Sequence, residues 1–305
     1  MKAKKRKKVD IENITFTTLN TCYLLFLCIV MLYPMLNTLA VSFNDAMDTV
    51  RGGIYLLPRK FTFYNYYVVF NMDTIYNAFY ISVAKTIVIV VTNLFFTSML
   101  AYTLSRKEYI LRKFITTVFV LTMYFNAGLI PNYMLIKNLG MINTFRVYWI
   151  PHIISAFNLI VLRTYIKTIP ESLIESARID GAREFRIYMQ IVMPLIIPAL
   201  ATIALFVAVG SWNSWFDTFL YNSAKQELST LQYELQKLLA STMTAGSRAP
   251  AGGAYAAAQA GASNVTTPQS IRAAITIVTA VPILLVYPFL QRYFIHGLAI
   301  GSVKE

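Results

Sequence analysis

The sequence is poor in charged residues: they make up only 13% of its 305 positions, whereas 57% are hydrophobic and the mean hydropathy is +0.54. A soluble domain of this length carries roughly 25% charged residues, because charged groups cover its water-facing surface. The shortage excludes a compact soluble enzyme and an extended disordered chain. A net charge of +13 would suit a nucleic-acid binder, but the hydropathy would not. The composition indicates a membrane protein.

Cysteine and catalytic motifs are also scarce. Cys22 and Cys28 both lie in the first apolar segment and form neither a metal-ligand spacing nor a disulfide framework. The sequence contains no Gly-x4-Gly-Lys-Ser/Thr phosphate loop, no His-Glu-x-x-His and no Gly-x-Ser-x-Gly, and His152 and His296 are not spaced as a metal pair. We therefore expect no catalytic residue, no metal and no cofactor on this chain. His152 is interpreted as an ordinary interfacial residue.

Six stretches are long and apolar enough to cross the hydrocarbon core, which takes about 20 residues as a helix. They are approximately residues 19–41, 77–104, 114–136, 147–165, 195–220 and 272–294. Segments on the side of the N-terminus hold 17 Lys and Arg, and the opposite segments hold nine. Because cytoplasmic segments carry the excess of these cations, the sequence predicts an all-α polytopic membrane protein with six transmembrane helices and both termini in the cytoplasm.

This reading divides the chain into a basic cytoplasmic N-terminus (1–18), a transmembrane domain (19–294) and a cytoplasmic C-terminal tail (295–305). One outer segment, 221–271, begins with leucines at helical spacing and becomes rich in Ala, Gly, Ser and Thr from about residue 245. It is equally compatible with a docking loop for an external partner and with a tolerated surface insertion.

The segment between the fourth and fifth predicted spans, 166–194, is amphipathic and carries charges of both signs. Pro170 suits a first helical turn, and Gly181 can adopt a positive φ and end the helix. We expect a helix–Gly–helix elbow, residues 170–194, along the inner membrane surface. The predicted apolar stripe of its second helix is Ala182, Phe185, Met189 and Val192. On physical grounds alone, an interfacial helix with solvated charges is an equally good interpretation.

The elbow resembles the EAA loop of permease subunits in bacterial ABC importers, whose pattern is Glu-Ala-Ala-x3-Gly-x9-Ile-x-Leu-Pro. The matching positions here are Glu175, Ser176, Ala177, Gly181, Ile191, Met193 and Pro194. Ser176 stands where the pattern has Ala, and Met193 where it has Leu, while the spacing is unchanged. Trp212-Asn213-Ser214-Trp215 and the tail from Gly297 to Lys304 resemble the carbohydrate branch, in particular MalG-like permeases of the LplC/YtcP-like group.

The resemblance implies the ABC type I importer permease fold in a bacterial cell membrane and a role in ATP-driven import of carbohydrate, specifically oligosaccharide. It also implies a second homologous permease, two cytoplasmic ATPase subunits that bind ATP and Mg, an extracytoplasmic solute-binding protein, and no nucleic acid. The expected ATPase-coupling residues are Glu175, Ser176, Ala177, Arg178, Asp180 and Gly181. The tail residues expected to contact the ATPase are Gly297, Gly301 and Lys304.

An ion-coupled secondary carrier is the alternative. Such carriers place ionisable groups inside their spans, whereas the predicted spans contain no Glu and a single Asp, Asp217. Lys85, about eight residues into the second span, is expected to snorkel or to pair with another helix.

Sugars are bound by hydrogen-bonding side chains and aromatic faces. The candidates for a substrate path are therefore Asn93, Asn126, Asn158, Trp212, Asn213, Trp215 and Asp217. For any one of them, an interhelical hydrogen bond or a place in the interfacial aromatic belt is the simpler interpretation.

Overall fold

The computed structural model describes residues 11–248 and 266–302. These residues are helical or irregular, apart from one isolated bridge between Asn44 and Phe61. Three helices are long and apolar enough to cross a membrane, and two bent helix pairs raise the number to five if each pair is one span. The all-α prediction is confirmed for the described residues, and the count of six spans is not.

The helices are α1 (Ile11–Ser42), α2 (Ala46–Val50), α3 (Tyr64–Phe70), α4 (Asp73–Ser105), α5 (Arg112–Tyr124), α6 (Leu129–Asn138), α7 (Arg146–Trp149), α8 (Ala156–Ile166), α9 (Glu171–Ile179), α10 (Glu184–Ile187), α11 (Met193–Leu195), α12 (Ile197–Asn213), α13 (Phe216–Tyr221), α14 (Leu231–Arg248) and α15 (Pro268–Ser302). The 3-10 turns are Ile150–His152 and Gln226–Leu228, and one π-helical turn is Tyr188–Val192. The chain forms two compact units. One comprises Met1–Val69 with Thr242–Ile277, and the other Phe70–Ser241 with Val278–Glu305.

In the first unit, the segment that follows α1 is ordered by buried polar side chains. The amide of Asn65 donates to the carbonyl oxygens of Ser42 and Asn44, and Arg59 Nε lies 3.0 Å from Asp48 Oδ2. A hydrogen bond from the Asn44 amide is the main cause that lowers the pKa of Asp48. Most apolar side chains of α1 are exposed within this chain.

The core of the second unit forms where α4 packs against α8 and α12, and it continues into the elbow. Its fully buried side chains include Leu104, Leu159, Leu162, Ile166, Ile174, Ile187, Tyr188, Val192 and Ile196. The apolar side chains of the elbow therefore belong to the same core as the long helices, so the elbow cannot move without disturbing their packing.

Three of the predicted spans lie within single helices: 19–41 in α1, 77–104 in α4 and 272–294 in α15. The helix of α15 continues to Ser302, so most of the predicted tail is helical backbone. The structure does not describe residues 1–10, 249–265 and 303–305, so much of the basic N-terminus and of the small-residue loop lies outside the described residues.

The third predicted span, 114–136, is wrong as a single helix: it is divided into α5 and α6. Gly128 has φ +88°, a left-handed conformation, and its N–H donates to Asn126 Oδ1 at 2.9 Å. This side-chain turn competes with the helix. Pro131 then lies in the first turn of α6, where its missing N–H costs no helical hydrogen bond.

The fourth and fifth predicted spans are also interrupted. Residues 147–165 bend by 46° between the segments Arg146–His152 and Ala156–Ile166, next to Pro151. Residues 195–220 contain α12 and α13, which are separated at Ser214 and Trp215. The prediction from apolar run length missed these interruptions because local turns, and not composition, determine them.

Candidate functional site

The first helix of the elbow, α9, ends in a Schellman motif at Gly181. Gly181 has φ +79°, its N–H donates to Arg178 O at 3.0 Å, and the N–H of Ala182 donates to Ala177 O at 2.9 Å. These are the two hydrogen bonds that close a left-handed helix end. The positive φ predicted for Gly181 is confirmed. Because a side chain in this conformation is strained, the turn between the two helices depends on glycine.

The second part of the elbow contains a π-helical turn, Tyr188–Val192, in which the N–H of Met193 donates to Tyr188 O. Ile187, Tyr188 and Val192 are buried, whereas Phe185 and Met189 are exposed. The predicted stripe through Phe185 and Met189 is therefore wrong. It assumed α-helical spacing from Ala182 onward, whereas α10 begins only at Glu184 and the π-turn adds a residue.

Arg178, at the end of α9, forms two ion pairs, one with the segment after α4 and one with the second half of the elbow. Arg178 Nη1 lies 2.6 Å from Glu108 Oε1, and Arg178 Nε lies 2.9 Å from Glu184 Oε1. The other oxygen of Glu184 accepts a hydrogen bond from Tyr102 Oη at 2.6 Å. The hydrogen bond from Arg178 is the main cause that lowers the pKa of Glu108, and Glu108 is the main cause that raises the pKa of Arg178.

The start of α9 is attached to α4 and its following loop as well. Lys107 Nζ lies 2.6 Å from Glu171 Oε2, which joins the start of α9 to the same segment after α4. Tyr188 Oη of the π-helical turn is 2.7 Å from Ser98 Oγ of α4. The elbow is thus attached to α4 and its following loop by three separate contacts.

The residues matched to the EAA pattern have different surroundings in the structure. Ala177 is buried, Gly181 forms the turn, and Arg178 is engaged within the chain. Ser176 Oγ donates to the carbonyl oxygen of Leu173 at 3.1 Å. Sequence reasoning missed Glu108, Glu184 and Tyr102. The contacts Arg178–Glu108 and Tyr102–Glu184 join residues 70 and 82 positions apart, whereas Arg178 and Glu184 are only 6 positions apart.

One surface of the elbow is left to solvent. Glu175 and Asp180 are exposed, and in the described part of the chain neither side chain forms a hydrogen bond or an ion pair. Ile179 is 85% exposed and Phe185 is 60% exposed. Two large apolar side chains beside free carboxylates form a surface suited to contact with another protein.

The predicted contacts of the tail remain a prediction. Gly297 and Gly301 lie in the helical backbone of α15, in a part whose side-chain surroundings are outside the described residues. Lys304 lies outside the described residues altogether.

A polar cavity of about 430 Å³ lies among α4, α8, α12 and α13, within the second unit. Its polar lining residues are Lys85, Asn93, His152, Ser155, Asn158, Ser211, Ser214 and Asp217. Ser211 Oγ is buried and has no hydrogen-bond partner in the described residues. A buried hydroxyl without a partner is rare and costly, so this group is available to a ligand or to water in the cavity.

Lys85 is 1% exposed and pairs with another helix. Its Nζ donates to Ser214 O at 3.0 Å and lies 3.8 Å from Asp217 Oδ2, while Asp217 also accepts from Ser214 Oγ at 2.6 Å. His152 Nε2 lies 3.9 Å from the same oxygen of Asp217. Of the two interpretations given above, the structure agrees with pairing and not with snorkelling. His152, interpreted above as an ordinary interfacial residue, is half-exposed and also lines the cavity.

Three of the seven substrate-path candidates, Asn93, Asn158 and Asp217, line this cavity. Asn93 Nδ2 donates to His152 O at 2.8 Å, and Asn158 Nδ2 donates to Asn93 Oδ1 at 3.4 Å. The structure does not bring the remaining four candidates into this cavity, and these are Asn126, Trp212, Asn213 and Trp215.

Each of the four has another local environment. Asn126 closes the turn before α6 and is exposed, and Asn213 accepts a hydrogen bond from Gln232 at 3.2 Å. Trp212 Nε1 donates to Thr279 O at 3.0 Å, and the Trp215 ring contacts neighbouring aromatic rings on α13. No sequence signal distinguishes these four from Asn93 and Asn158, because only the folded chain shows which side chains converge.

Comparison with known proteins finds similarity to membrane components of transport systems. Residues 95–216 match the family model described as "Binding-protein-dependent transport system inner membrane component". The chain is 35% identical to the polygalacturonan/rhamnogalacturonan transport system permease protein YtcP of Bacillus subtilis, over 96% of this chain and 99% of the relative. It is 30% identical to the arabinooligosaccharides transport system permease protein AraQ of Halalkalibacterium halodurans, over 92% and 93% of the two chains.

A solved structure is similar over nearly the whole chain. It is a bacterial ABC transporter involved in the import of the acidic polysaccharide alginate, with a TM-score of 0.83 and 28% identity, covering 95% of this chain and all of the other.

Proposed function

The chain belongs to the family of binding-protein-dependent transport system inner membrane components, and on that premise we propose that it carries oligosaccharides through the membrane in an ATP-driven importer. It is a permease subunit of a bacterial ABC importer and not an enzyme. The family predicted from the elbow is confirmed. The relatives are named for transport of several different sugar polymers, which supports oligosaccharide as the substrate class. An ion-coupled carrier has no support from this family.

The elbow couples the permease to a separate ATPase subunit. The observation that carries this proposal is the division of the elbow into two faces: one belongs to the core, and the other leaves Ile179, Phe185 and Glu175 exposed. The ion pairs of Arg178 join both halves of the elbow to the segment that follows α4. Displacement of the exposed face by the ATPase would therefore be transmitted to the long helix α4.

Four further subunits complete the assembly: a second homologous permease, two copies of the ATPase, which bind ATP and Mg, and an extracytoplasmic solute-binding protein. The family description supports the binding protein. The exposed apolar side chains of α1 support contact with lipid or another subunit. The protein crosses the bacterial cell membrane several times, with its elbow and both termini in the cytoplasm, where the tail residues Gly297, Gly301 and Lys304 form a second contact with the ATPase.

The polar cavity forms part of the substrate path. Its amides and hydroxyls match the donors and acceptors of a sugar ring, and the unpaired Ser211 hydroxyl faces it. Asn93 and Asn158 contribute from two different helices, so their separation would change when the helices move.

Cross-linking tests the coupling role directly. Cys22 and Cys28 are first replaced by Ser, and a single cysteine is introduced as Ile179→Cys in the full-length chain expressed with its neighbouring subunits. We expect a cross-link to an ATPase subunit that changes on addition of ATP. The matched control is Lys137→Cys, an exposed position at the end of α6. Cross-linking of Lys137→Cys but not of Ile179→Cys to the ATPase would overturn the proposal.

A further inference from the structure

A second cavity, of about 560 Å³, lies beside the elbow and is lined mainly by cations. Six basic side chains surround it: Arg106, Lys107, Arg112, Lys113, Arg163 and Lys167. They come from the end of α4 and the loop after it, from the start of α5, and from the end of α8. A single carboxylate, Glu171, lines the same cavity. We call this feature the basic cavity.

The charges in the basic cavity are not balanced within the described part of the chain. Glu171 is already paired with Lys107, at 2.6 Å. The other five cations have no carboxylate oxygen within 4.0 Å among the described residues. A surplus of about five positive charges therefore converges on one space.

Neutral groups hold the arginines in place. Arg163 Nε donates to Leu104 O at 2.9 Å, and Arg106 Nε donates to Ser105 Oγ at 3.2 Å. These bonds fix each side chain without neutralising its charge. Mutual repulsion is evident at Lys167, where the charge of Arg163 is the main cause that lowers the pKa. An anion in the basic cavity would remove this repulsion.

Helix dipoles account for only some of the cations in the basic cavity. The C-terminal ends of α4 and α8 carry partial negative charge, which favours nearby cations. Arg112 and Lys113, however, are the first two residues of α5, where the dipole disfavours cations. The basic cavity thus keeps two cations in positions that the local backbone penalises.

The position of the basic cavity identifies the kind of anion. α4 is long and apolar enough to cross a membrane and ends at Ser105, and the bent pair that contains α8 ends at Ile166. Arg106 and Lys107 directly follow the end of α4, and Arg163 and Lys167 flank the end of α8, at the level where an apolar helix leaves the hydrocarbon core. Basic pockets between transmembrane helices at this level bind the phosphates of lipid headgroups.

We propose that the basic cavity binds the phosphate of an anionic phospholipid headgroup. Arg106, Arg112 and Arg163 supply guanidinium groups, whose paired N–H donors match phosphate oxygens, and Lys113 and Lys167 add charge at the rim. Since Glu171 and Lys107 lie at the same cavity, the bound lipid would support the joint between α9 and the loop after α4. That effect on transport rests on the proposed function, whereas binding of the lipid does not.

The test uses the full-length chain with its copurifying subunits in nanodiscs, where native mass spectrometry counts retained lipids. Nanodiscs of phosphatidylglycerol mixed with phosphatidylcholine are compared with pure phosphatidylcholine, with and without inorganic phosphate. The variant is Arg112→Gln/Lys113→Gln/Lys167→Gln. The control, Lys60→Gln/Lys137→Gln/Lys225→Gln, removes the same charge from exposed positions elsewhere.

We expect the variant to lose phosphatidylglycerol retention with roughly a hundredfold weaker binding, since each cation near an anionic surface contributes about fivefold. The control should retain lipid like the unmodified chain. If inorganic phosphate stabilises the chain as well as phosphatidylglycerol does, the ligand is a soluble anion and the proposal fails. The proposal also fails if the variant keeps its lipid but loses the ATPase subunit. Helical content by circular dichroism and the single variant Lys167→Gln separate loss of lipid from misfolding.

Loss of uptake with unchanged lipid retention would concern the proposed function alone.

Discussion

Arg178 of the elbow and Glu108 of the loop after α4 form an ion pair across 70 positions of the sequence, with 2.6 Å between Nη1 and Oε1. The same guanidinium also binds Glu184, just beyond the turn. One side chain thus joins both halves of the elbow to the end of a long helix. In the EAA pattern this position is variable, and the structure gives it a mechanical role inside the chain.

Glu108→Gln should weaken coupling without removing the ATPase. The exposed pair contributes only about 0.5–1 kcal/mol, so the protein should fold, but the elbow should move more independently of α4. We expect reconstituted vesicles to hydrolyse more ATP per sugar imported. The control is Arg186→Gln, which affects an elbow residue whose side chain hydrogen-bonds only Gln190 among the described residues. Equal ratios in both variants would contradict the role of Arg178.

The contribution of this pair should depend on pH in one direction. The pKa of Glu108 is lowered from 4.5, so the unfolded chain takes up the proton first. The stabilisation is fully present above about pH 5 and is lost as the pH falls through the lowered pKa. A double-mutant cycle of Glu108→Gln and Arg178→Gln, measured by thermal unfolding, should give a constant coupling free energy from pH 8 to pH 5 and a smaller one below. A coupling free energy that rises on acidification would exclude this pairing.

Gly181→Ala should impair uptake because it disturbs the positive φ that sets the direction of the chain between the two helices of the elbow. A Cβ at Gly181 would meet no heavy atom within 4 Å, so the cost is conformational, about 1–2 kcal/mol. Gly140 offers a matched control, since it has φ +64° and equally open surroundings outside the elbow. Both variants should lower the unfolding temperature similarly, and only Gly181→Ala should lower ATP-driven uptake. Gly181→Pro should abolish uptake, because proline cannot adopt φ +79° and loses the N–H bonded to Arg178 O.

The buried pair of Lys85 and Asp217 should respond asymmetrically to substitution. Asp217→Asn leaves a lysine that is 1% exposed without a counter-charge, at a cost on the order of 3 kcal/mol. Lys85→Met should cost less, because Asp217 is partly exposed to the cavity and keeps its hydrogen bond from Ser214. Thermal unfolding in detergent measures both variants, and Lys85→Met/Asp217→Asn should be less destabilised than Asp217→Asn alone. Additive losses would mean that the two charges do not interact.

Ser211→Ala should leave stability unchanged or slightly higher, since the hydroxyl has no hydrogen-bond partner in the described residues. If the hydroxyl contacts sugar, the apparent KM for uptake should rise about fivefold to tenfold, the effect of losing one hydrogen bond of about 1–1.5 kcal/mol. Trp212→Phe is the contrasting variant. It removes the hydrogen bond to Thr279 O and should lower stability with little change in KM. An unchanged KM for Ser211→Ala would remove this residue from the substrate path.

Much of the architecture follows from the sequence, because long apolar runs require helices in a membrane. The spans inside α1, α4 and α15 were predictable for that reason, and so was the glycine that ends α9. The break before α6 was not, since it depends on one hydrogen bond between Asn126 and Gly128. The partners of Arg178 were equally hidden, because sequence patterns report periodicity and local spacing but not which distant carboxylate lies beside a given guanidinium.

The polar cavity illustrates the same limit. Of the seven candidates for the substrate path, Asn93, Asn158 and Asp217 line the cavity and the other four lie elsewhere. Only the folded structure distinguishes the candidates that line the cavity from those that do not.

The π-helical turn between Tyr188 and Val192 has a consequence for deletions. Each residue of an α-helix turns the chain by about 100°, so removal of one residue from this turn would restore regular winding and re-aim everything before it relative to α12. The direction in which Glu175 and Ile179 point therefore depends on the number of residues in the π-helical turn as well as on the side chains themselves. We expect deletion of one residue from this turn to abolish transport even when the side chains of the EAA pattern are unchanged.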